Sequence, residues 1–156
     1  MPRPKNEPDE AKRYLLQLLR YRPRSRAEAE SRLRSRGYPN ETISEVLAWA
    51  QNFGMIDDEA FARLWVADRL ERRPCGIALL RRELRGKGVT SDIIERVLAQ
   101  AEPDEEALAR RLAAERLARY RDEAREEGKR KTFAFLLRRG FSPSLSRRVL
   151  RELRIN

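Results

Sequence analysis

The stretch LRSRGY at residues 33–38 recurs as LRGKGV at residues 84–89 and as LLRRGF at residues 136–141. Each copy is a leucine, three mostly basic residues, a glycine and one apolar residue. This order is typical of the end of an α-helix, because glycine adopts the left-handed conformation without a Cβ clash and cations favour the helix carboxyl end. The motif therefore predicts three helix ends, with Gly37, Gly88 and Gly140 in left-handed conformations.

The similarity extends over three ungapped segments, residues 33–50, 84–101 and 136–153. Every segment has Val-Leu 13 and 14 positions after its first leucine, and the segments start 51 and 52 residues apart. Apolar residues inside each segment recur at helical spacing, as in Ile43, Val46, Leu47 and Ala50. A fixed period of this size indicates a repeat protein.

Each repeat is predicted to contain three helices, because a further apolar stripe precedes every pair. These stripes are Ala11, Tyr14, Leu15 and Leu18 in the first copy; Phe61, Leu64 and Trp65 in the second; and Leu108, Leu112, Ala113, Leu117 and Tyr120 in the third. No segment alternates like a β-strand, so the fold class is all-α. The expected boundaries are a flexible tail at 1–9 and repeats at 10–56, 57–102 and 103–156.

Local signals complete this picture. Ser25 and Glu28 form a capping-box pattern, and the acidic runs 57–59 and 104–106 are interpreted as helix caps. The charged segment 121–131 is expected to be a connector that Gly128 breaks. Trp49, Trp65, Phe61 and Tyr14 lie on apolar stripes, so core packing is favoured over base stacking for each. Tyr38 and Phe141, which follow the glycines, are expected to plug the core beyond the helix ends.

The net charge is +10, and residues 129–156 hold nine basic residues against one acidic residue. Such asymmetry favours an anionic partner, usually nucleic acid. An arginine-rich coding bias is the alternative explanation. No apolar segment approaches the length of a membrane span or resembles a signal peptide, so a cytoplasmic protein without a membrane partner is expected.

Catalytic chemistry is not expected. The chain has no histidine and one cysteine, Cys75, which excludes zinc clusters and Ser-His-Asp or Cys-His sites. No phosphate-binding glycine loop is present. Cys75 follows Pro74 near a predicted helix start, a position that favours a lowered thiol pKa, but no catalytic partner accompanies it, so it is interpreted as incidental. We therefore predict a protein that is not an enzyme and that needs no cofactor or metal.

Residues 53–89, FGMIDDEAFARLWVADRLERRPCGIALLRRELRGKGV, resemble the central block of the RecX family, the bacterial regulators of the recombinase RecA. Residues 18–38 resemble the first repeat of that family, and the third repeat is the weakest part of the resemblance. The residues that carry the match are Ser25, Leu33, Gly37, Gly54, Asp57, Asp58, Phe61, Ala62, Gly76, Leu84 and Gly88.

The resemblance implies three tandem three-helix repeats in an elongated, curved molecule, acting as a monomer. It implies binding to RecA and the RecA–DNA filament, with suppression of filament growth, ATP hydrolysis, strand exchange and co-protease activity in the SOS response. Single- and double-stranded DNA are expected to bind weakly and without sequence preference. A sequence-tolerant DNA-binding protein that acts without RecA is the alternative, and a scaffold for acidic protein surfaces is a third possibility.

Basic residues of repeats 2 and 3 are the candidate contacts for RecA or DNA, because arginine binds phosphate and carboxylate groups through two parallel hydrogen bonds. The candidates are Arg81, Arg82, Arg85, Lys87, Lys129, Arg130, Lys131, Arg138, Arg139, Arg147, Arg148 and Arg151.

Overall fold

The computed structural model describes residues 7–153, which are helical and contain no β-strand. Repeat 1 contains α1 (Glu7–Tyr21), α2 (Arg26–Ser35) and α3 (Asn40–Asn52); repeat 2 contains α4 (Asp58–Arg72), α5 (Ile77–Gly86) and α6 (Ser91–Ala101); repeat 3 contains α7 (Glu105–Leu117), a 3₁₀ turn (Asp122–Ala124), α8 (Arg125–Arg138) and α9 (Pro143–Glu152). The predicted all-α fold of three three-helix repeats is confirmed. Residues 1–6 of the predicted flexible tail lie outside the described residues, and residues 7–9 belong to α1.

The chain divides into two compact units, and the helices of repeat 2 contribute to both. The first unit comprises residues up to Leu64 together with Leu84–Val97, and the second comprises Trp65–Glu83 and the residues from Leu98 onward. In the first unit α1, α2 and α3 enclose a core whose buried members are Ala11, Leu15, Ala29, Leu33, Ile43, Val46, Leu47, Ala50 and Ile56.

The core of the second unit lies between α7, α8 and α9. Its buried members are Ala109, Ala113, Leu136, Phe141, Leu145, Val149 and Leu150. Val149 and Leu150 are the third copy of the Val-Leu pair, and the pairs of the other two segments are buried as well. The repeated pair therefore marks the buried face of the third helix in every repeat.

The predicted glycine-terminated helix ends are confirmed. Gly37, Gly88 and Gly140 have φ angles of 93°, 80° and 90°. In each copy the N–H of the next residue donates to the carbonyl of the motif's first leucine, at 3.0–3.3 Å. This hydrogen bond turns the chain back over the helix end. It brings Phe141 into the core of the second unit. Tyr38 is left half-buried against the core of the first unit.

Successive repeats are held together by a contact that we call the repeat joint. It lies between the start of one repeat's second helix and the next repeat. In the first unit, the Ser25 hydroxyl donates to the Lys87 carbonyl at 2.6 Å. The backbone N–H of Arg26 donates to the carboxylate of Asp58 at 2.8 Å. The acidic run of repeat 2 therefore binds repeat 1 as well as capping its own helix, where Asp57 accepts from two backbone N–H groups.

The second unit contains the same joint one repeat later. The backbone N–H of Gly76 donates to the Arg139 carbonyl at 2.7 Å. The N–H of Ile77 donates to the carboxylate of Glu105 at 2.7 Å. Asp104 caps α7 by accepting from Ala107 at 3.0 Å, which confirms the predicted cap.

The motif glycines are part of these joints. A Cβ on Gly88 would overlap the Cβ of Ala27, and a Cβ on Gly140 would lie 2.5 Å from the Cβ of Leu79. A Cβ on Gly37 would meet nothing within 4 Å. Gly88 and Gly140 are therefore needed for close packing as well as for backbone conformation, whereas Gly37 is needed for conformation alone.

Two local predictions were wrong. Leu64 is 58% exposed, because the buried face of α4 contains Phe61, Ala62 and Val66 and Leu64 lies on the other side of the helix. Gly128 does not break the charged segment 121–131. It is buried inside α8, where a Cβ would come within 2.7 Å of the Tyr120 ring.

The capping box at the start of α2 is half formed. Ser25 accepts from the backbone N–H of Glu28 at 3.2 Å, as predicted. The Glu28 carboxylate instead accepts from Arg22 at 2.6 Å and lies 3.7 Å from the ammonium of Lys87. Glu28 therefore adds an ion pair to the first repeat joint.

Three of the four aromatic residues on the apolar stripes have a packing role, as predicted. Phe61 is buried, and Tyr14 and Trp49 pack half-buried against the first core. The outer face of each half-buried ring carries a cation, with Arg36 4.6 Å from the Tyr14 ring centroid and Lys12 5.0 Å from that of Trp49. Within residues 7–153, no helix is both long and apolar enough to span a membrane.

Candidate functional site

A basic groove lies between α8 and α9 in the second unit, with a volume of about 620 Å³. We call it the α8–α9 groove and define it by Lys129, Arg130, Phe133, Ser144, Arg147, Leu150 and Arg151. Ser144, Arg147 and Arg151 are spaced three and four residues apart, which places them on one face of α9. Four of the predicted candidates therefore converge on one concave surface.

The positive charge of this groove is largely uncompensated. None of its lining residues is acidic. Lys129 pairs with Glu126 at 3.4 Å, and its side chain is only 14% exposed. Arg130, Arg147 and Arg151 form no ion pair with residues in the described part of the chain. Arg147 lies 5.8 Å from the Phe133 ring centroid, which leaves its polar groups free to bind an anion.

The charge of this groove is specific to repeat 3. The repeat alignment pairs the buried Val-Leu positions in all three third helices, but the two positions that face the groove differ. They are Ser44 and Ala48 in repeat 1, Glu95 and Ala99 in repeat 2, and Arg147 and Arg151 in repeat 3. The third helices of the three repeats therefore share their buried Val-Leu pair, and only the third helix of repeat 3 has two arginines at these outward positions.

Arg148 and Arg139, two further candidates, have internal partners. Arg148 pairs with Glu106 at 3.3 Å, and its counterpart one repeat earlier, Arg96, pairs with Glu59 at 3.2 Å. This ion pair joins the third helix of a repeat to its first helix. Arg139 belongs to the second repeat joint, where its guanidinium donates to the Pro74 carbonyl at 2.5 Å and burial lowers its pKa.

The remaining repeat 3 candidates lie apart from the groove. Lys131 is exposed and pairs with Glu127 at 3.0 Å, an interaction that raises the Lys131 pKa. Arg138 is exposed and lines a different depression, beside Arg139 and Phe135.

The repeat 2 candidates are dispersed along α5 and the turn that follows it. Arg82 and Arg85 are exposed, whereas Arg81 and Lys87 are half-buried. In the first unit Arg85 and Lys87 line a smaller groove of about 300 Å³, and Arg32 of α2 lines it with them. Lys87 contributes its carbonyl and its ammonium to the first repeat joint, which gives it a structural role.

Sequence reasoning missed three residues of these grooves, Ser144, Phe133 and Arg32. The spacing of Ser144 with Arg147 and Arg151 is a signal that the sequence contains. Phe133 and Arg32 become recognisable only when a second helix lies beside them.

The thiol pKa of Cys75 is shifted in the opposite direction to the one that its sequence position favours. The sequence predicted a lowered thiol pKa near a helix start, but burial raises the pKa of Cys75 to about 11. The nearby carboxylate of Glu83 raises it further. Cys75 is 2% exposed, so the desolvation of the thiolate outweighs the nearby arginines. Within residues 7–153, no group of acidic or sulfur side chains is arranged to hold a metal ion.

Comparison with protein families matches each repeat separately. The chain matches "RecX, first three-helix domain" over residues 11–49, "RecX, second three-helix domain" over residues 57–98 and "RecX, third three-helix domain" over residues 104–150.

Similar proteins carry the same family name. The chain is 35% identical to the regulatory protein RecX of Streptomyces coelicolor over 150 residues, covering 96% of this chain and 80% of that protein. It is 38% identical to that of Thermobifida fusca over 143 residues, covering 91% and 77%. A crystal structure of RecX from Lactobacillus salivarius, 24% identical, covers 97% of this chain and 99% of its own with a TM-score of 0.82.

A second crystal structure, of a regulatory protein RecX, is 26% identical, covers 92% of this chain and 71% of its own, and has a TM-score of 0.78. Three observations point to the same family: sequence identity over nearly the whole chain, matches to three successive domains and the shared fold. The chain belongs to the RecX family of regulatory proteins.

Proposed function

We propose that the protein binds RecA and RecA–DNA filaments and restrains them, limiting filament growth, ATP hydrolysis, strand exchange and co-protease activity. Recombination and the SOS response are then under negative control. The protein acts as a monomer in the cytoplasm, by binding and without catalysis. Family membership supports the regulatory role, and the partner follows from the family's association with RecA.

The α8–α9 groove is the observation that carries the proposal. It combines three arginines that form no ion pair within residues 7–153 with a concave surface whose described lining residues include no carboxylate. Such a surface attracts the phosphate backbone of a nucleoprotein filament. Because arginine offers a planar fork of donors, it can also donate hydrogen bonds to surface carboxylates of a protein partner.

Repeat 2 adds a second, weaker contact in this proposal. Arg82 and Arg85 are exposed on α5, and Arg32 stands beside Arg85 in the smaller groove. Two weak contacts on one chain reinforce each other, because the second binding event is intramolecular once the first has occurred. Neither contact needs sequence readout, so binding to free DNA is weak and sequence-tolerant.

The test is RecA ATPase activity on single-stranded DNA, titrated with the wild-type protein and with Arg147→Glu/Arg151→Glu. Both side chains are exposed and outside the core, so the variant should fold. We expect about tenfold more variant to be needed for half-inhibition, because two solvent-exposed charge contacts of about 0.2–1 kcal/mol each are lost. Binding to DNA alone should become less salt-dependent, with the log–log slope reduced by about two units.

The matched control is Arg13→Glu/Arg20→Glu on α1, which makes the same charge change at two exposed arginines remote in sequence from the groove. It should inhibit RecA like the wild-type protein. Arg148→Glu serves as a second control, because it breaks the pair with Glu106 and so reports damage to repeat 3 rather than loss of the groove. Equal inhibition by the groove variant and the wild-type protein would refute the proposal.

A sequence-tolerant DNA-binding protein that acts without RecA is the second candidate, and the same groove favours it. The ATPase titration separates the two when the DNA strand is kept in large excess over the added protein. A RecA regulator inhibits at amounts that scale with RecA. A protein that only competes for DNA inhibits at amounts that scale with the strand.

A further inference from the structure

A second concentration of arginines lies elsewhere in the second unit, in a cleft of about 440 Å³. We call it the arginine cleft. It is lined by Arg72 and Arg73 at the end of α4, by residues of α7, and by Phe135 and Arg139 of α8 and its end. Six arginines meet there, namely Arg72, Arg73, Arg111, Arg116, Arg119 and Arg139. Of these, only Arg139 was a candidate from the sequence.

Two of these guanidiniums are held in place by an aromatic ring. Arg116 lies 4.2 Å and Arg139 5.4 Å from the ring centroid of Phe135. Arg139 is also tied to the Pro74 carbonyl. Contacts of this kind fix the planes of the guanidinium groups, so less side-chain entropy remains to be lost when a ligand binds.

The cleft is not neutralised by its surroundings. Glu71 and Glu115 line it, and Arg72 pairs with Asp68 at 3.1 Å. The carboxyl ends of three helices each add about half a negative charge. Six guanidiniums against these groups leave roughly one to two positive charges unbalanced.

The unbalanced positive charge lies on four of the arginines. Arg73, Arg116, Arg119 and Arg139 form no ion pair with any residue from Glu7 to Leu153. Burial lowers the pKa of Arg139, and the neighbouring Arg73 lowers it further. Arg73 and Arg119 are exposed, so a ligand can reach them from solvent.

We propose that the arginine cleft binds a single phosphate group. The unbalanced charge matches one phosphodiester or one terminal phosphate, which carry about one and two negative charges respectively. Glu71 and Glu115 in the wall of the cleft disfavour a second phosphate group there. The α8–α9 groove has no such acids, so the two sites differ in what they admit.

The primary test is titration of the purified protein with inorganic phosphate, followed by ³¹P NMR line width and by the rise in melting temperature that ligand binding produces. Wild-type protein should bind phosphate, and Arg73→Ala/Arg119→Ala should bind it about tenfold more weakly. Both arginines are exposed and unpaired, so the variant should fold, which circular dichroism verifies. Arg13→Ala/Arg20→Ala removes the same charge from α1 and should bind like the wild-type protein.

Two oligonucleotides distinguish the sources of the phosphate. A 5′-phosphorylated strand that binds more tightly than its 5′-hydroxyl counterpart, only when the cleft is intact, identifies a terminal phosphate. Equal binding of both strands, weakened equally by Arg73→Ala/Arg119→Ala, identifies a backbone phosphodiester. Either result supports the cleft.

Failure of this inference is separable from failure of the proposed function. Phosphate binding is measured without RecA, and it is compared between the wild-type protein and Arg73→Ala/Arg119→Ala, neither of which alters the α8–α9 groove. Absence of phosphate binding by the wild-type protein, or equal affinity in the wild-type and cleft variants, would overturn the assignment.

Discussion

Substitution of the motif glycines by alanine separates backbone conformation from packing at the repeat joint. Gly37 and Gly88 have similar positive φ angles, 93° and 80°. An L-residue in the left-handed region costs roughly 1–2 kcal/mol. Gly37→Ala should therefore cost about that much, since its Cβ would meet no atom within 4 Å.

Gly88→Ala should cost more, because its new methyl group would overlap that of Ala27. Neither atom belongs to a flexible side chain, so α2 must shift and strain the Ser25 and Arg26 hydrogen bonds of the joint. Overpacking of this kind adds about 1–3 kcal/mol. The total is about 3 kcal/mol, and Gly140→Ala should behave similarly because its Cβ would lie 2.5 Å from that of Leu79.

The assay is urea and thermal unfolding of the three variants beside the wild-type protein. For a chain of this size, 1 kcal/mol lowers the melting temperature by about 2–4 °C, so Gly88→Ala should melt about 5 °C below Gly37→Ala. Ala27→Gly introduced with Gly88→Ala should recover part of the loss, since it removes the other partner of the overlap. Equal losses in Gly37→Ala and Gly88→Ala, or no recovery in the double variant, would refute close packing at the joint.

Two further predictions concern buried groups of the second unit. Cys75 should react with iodoacetamide at pH 8 about 100-fold more slowly in folded than in unfolded protein, because its pKa is about 11 rather than 9.0. The thiol of the unfolded chain ionises at lower pH than that of the folded protein, so this group should also reduce the free energy of unfolding as pH rises from about 9 to about 11. Comparison with Cys75→Ala isolates that effect. Equal labelling rates in folded and unfolded protein would show that the thiol is not buried. Gly128→Ala should lower stability although alanine favours helices by about 1 kcal/mol, because its Cβ would lie 2.7 Å from the Tyr120 ring. Thermal unfolding tests this, and a rise in melting temperature would contradict it.

Much of the architecture was predictable from the sequence because its signals are local. A glycine that needs a positive φ, a Val-Leu pair on a buried face and an acid at a helix start each act within one or two turns of their own helix. The repeat made these signals stronger, since three copies had to agree. The family resemblance rested on the same residues, and the matches to three RecX domains confirm it.

Local reasoning failed where a neighbouring segment decided the outcome. Gly128 was expected to break a charged connector, but it lies inside α8, where the ring of Tyr120 occupies the space that a side chain would need. Cys75 was expected to have a lowered thiol pKa, but burial raises it. In both cases the deciding groups come from other elements of the fold.

Periodicity and charge along the chain were enough to predict three α-helical repeats and a basic carboxyl-terminal segment. Which basic residues are available to a partner became clear only from the folded structure. Arg147 and Arg148 are adjacent in sequence, yet Arg148 pairs with Glu106 while Arg147 faces the α8–α9 groove. The arginine cleft likewise assembles side chains from three separated segments. Charge is a property of composition, but its compensation depends on which side chain lies opposite, and for Arg148 that side chain is 42 residues away in the chain.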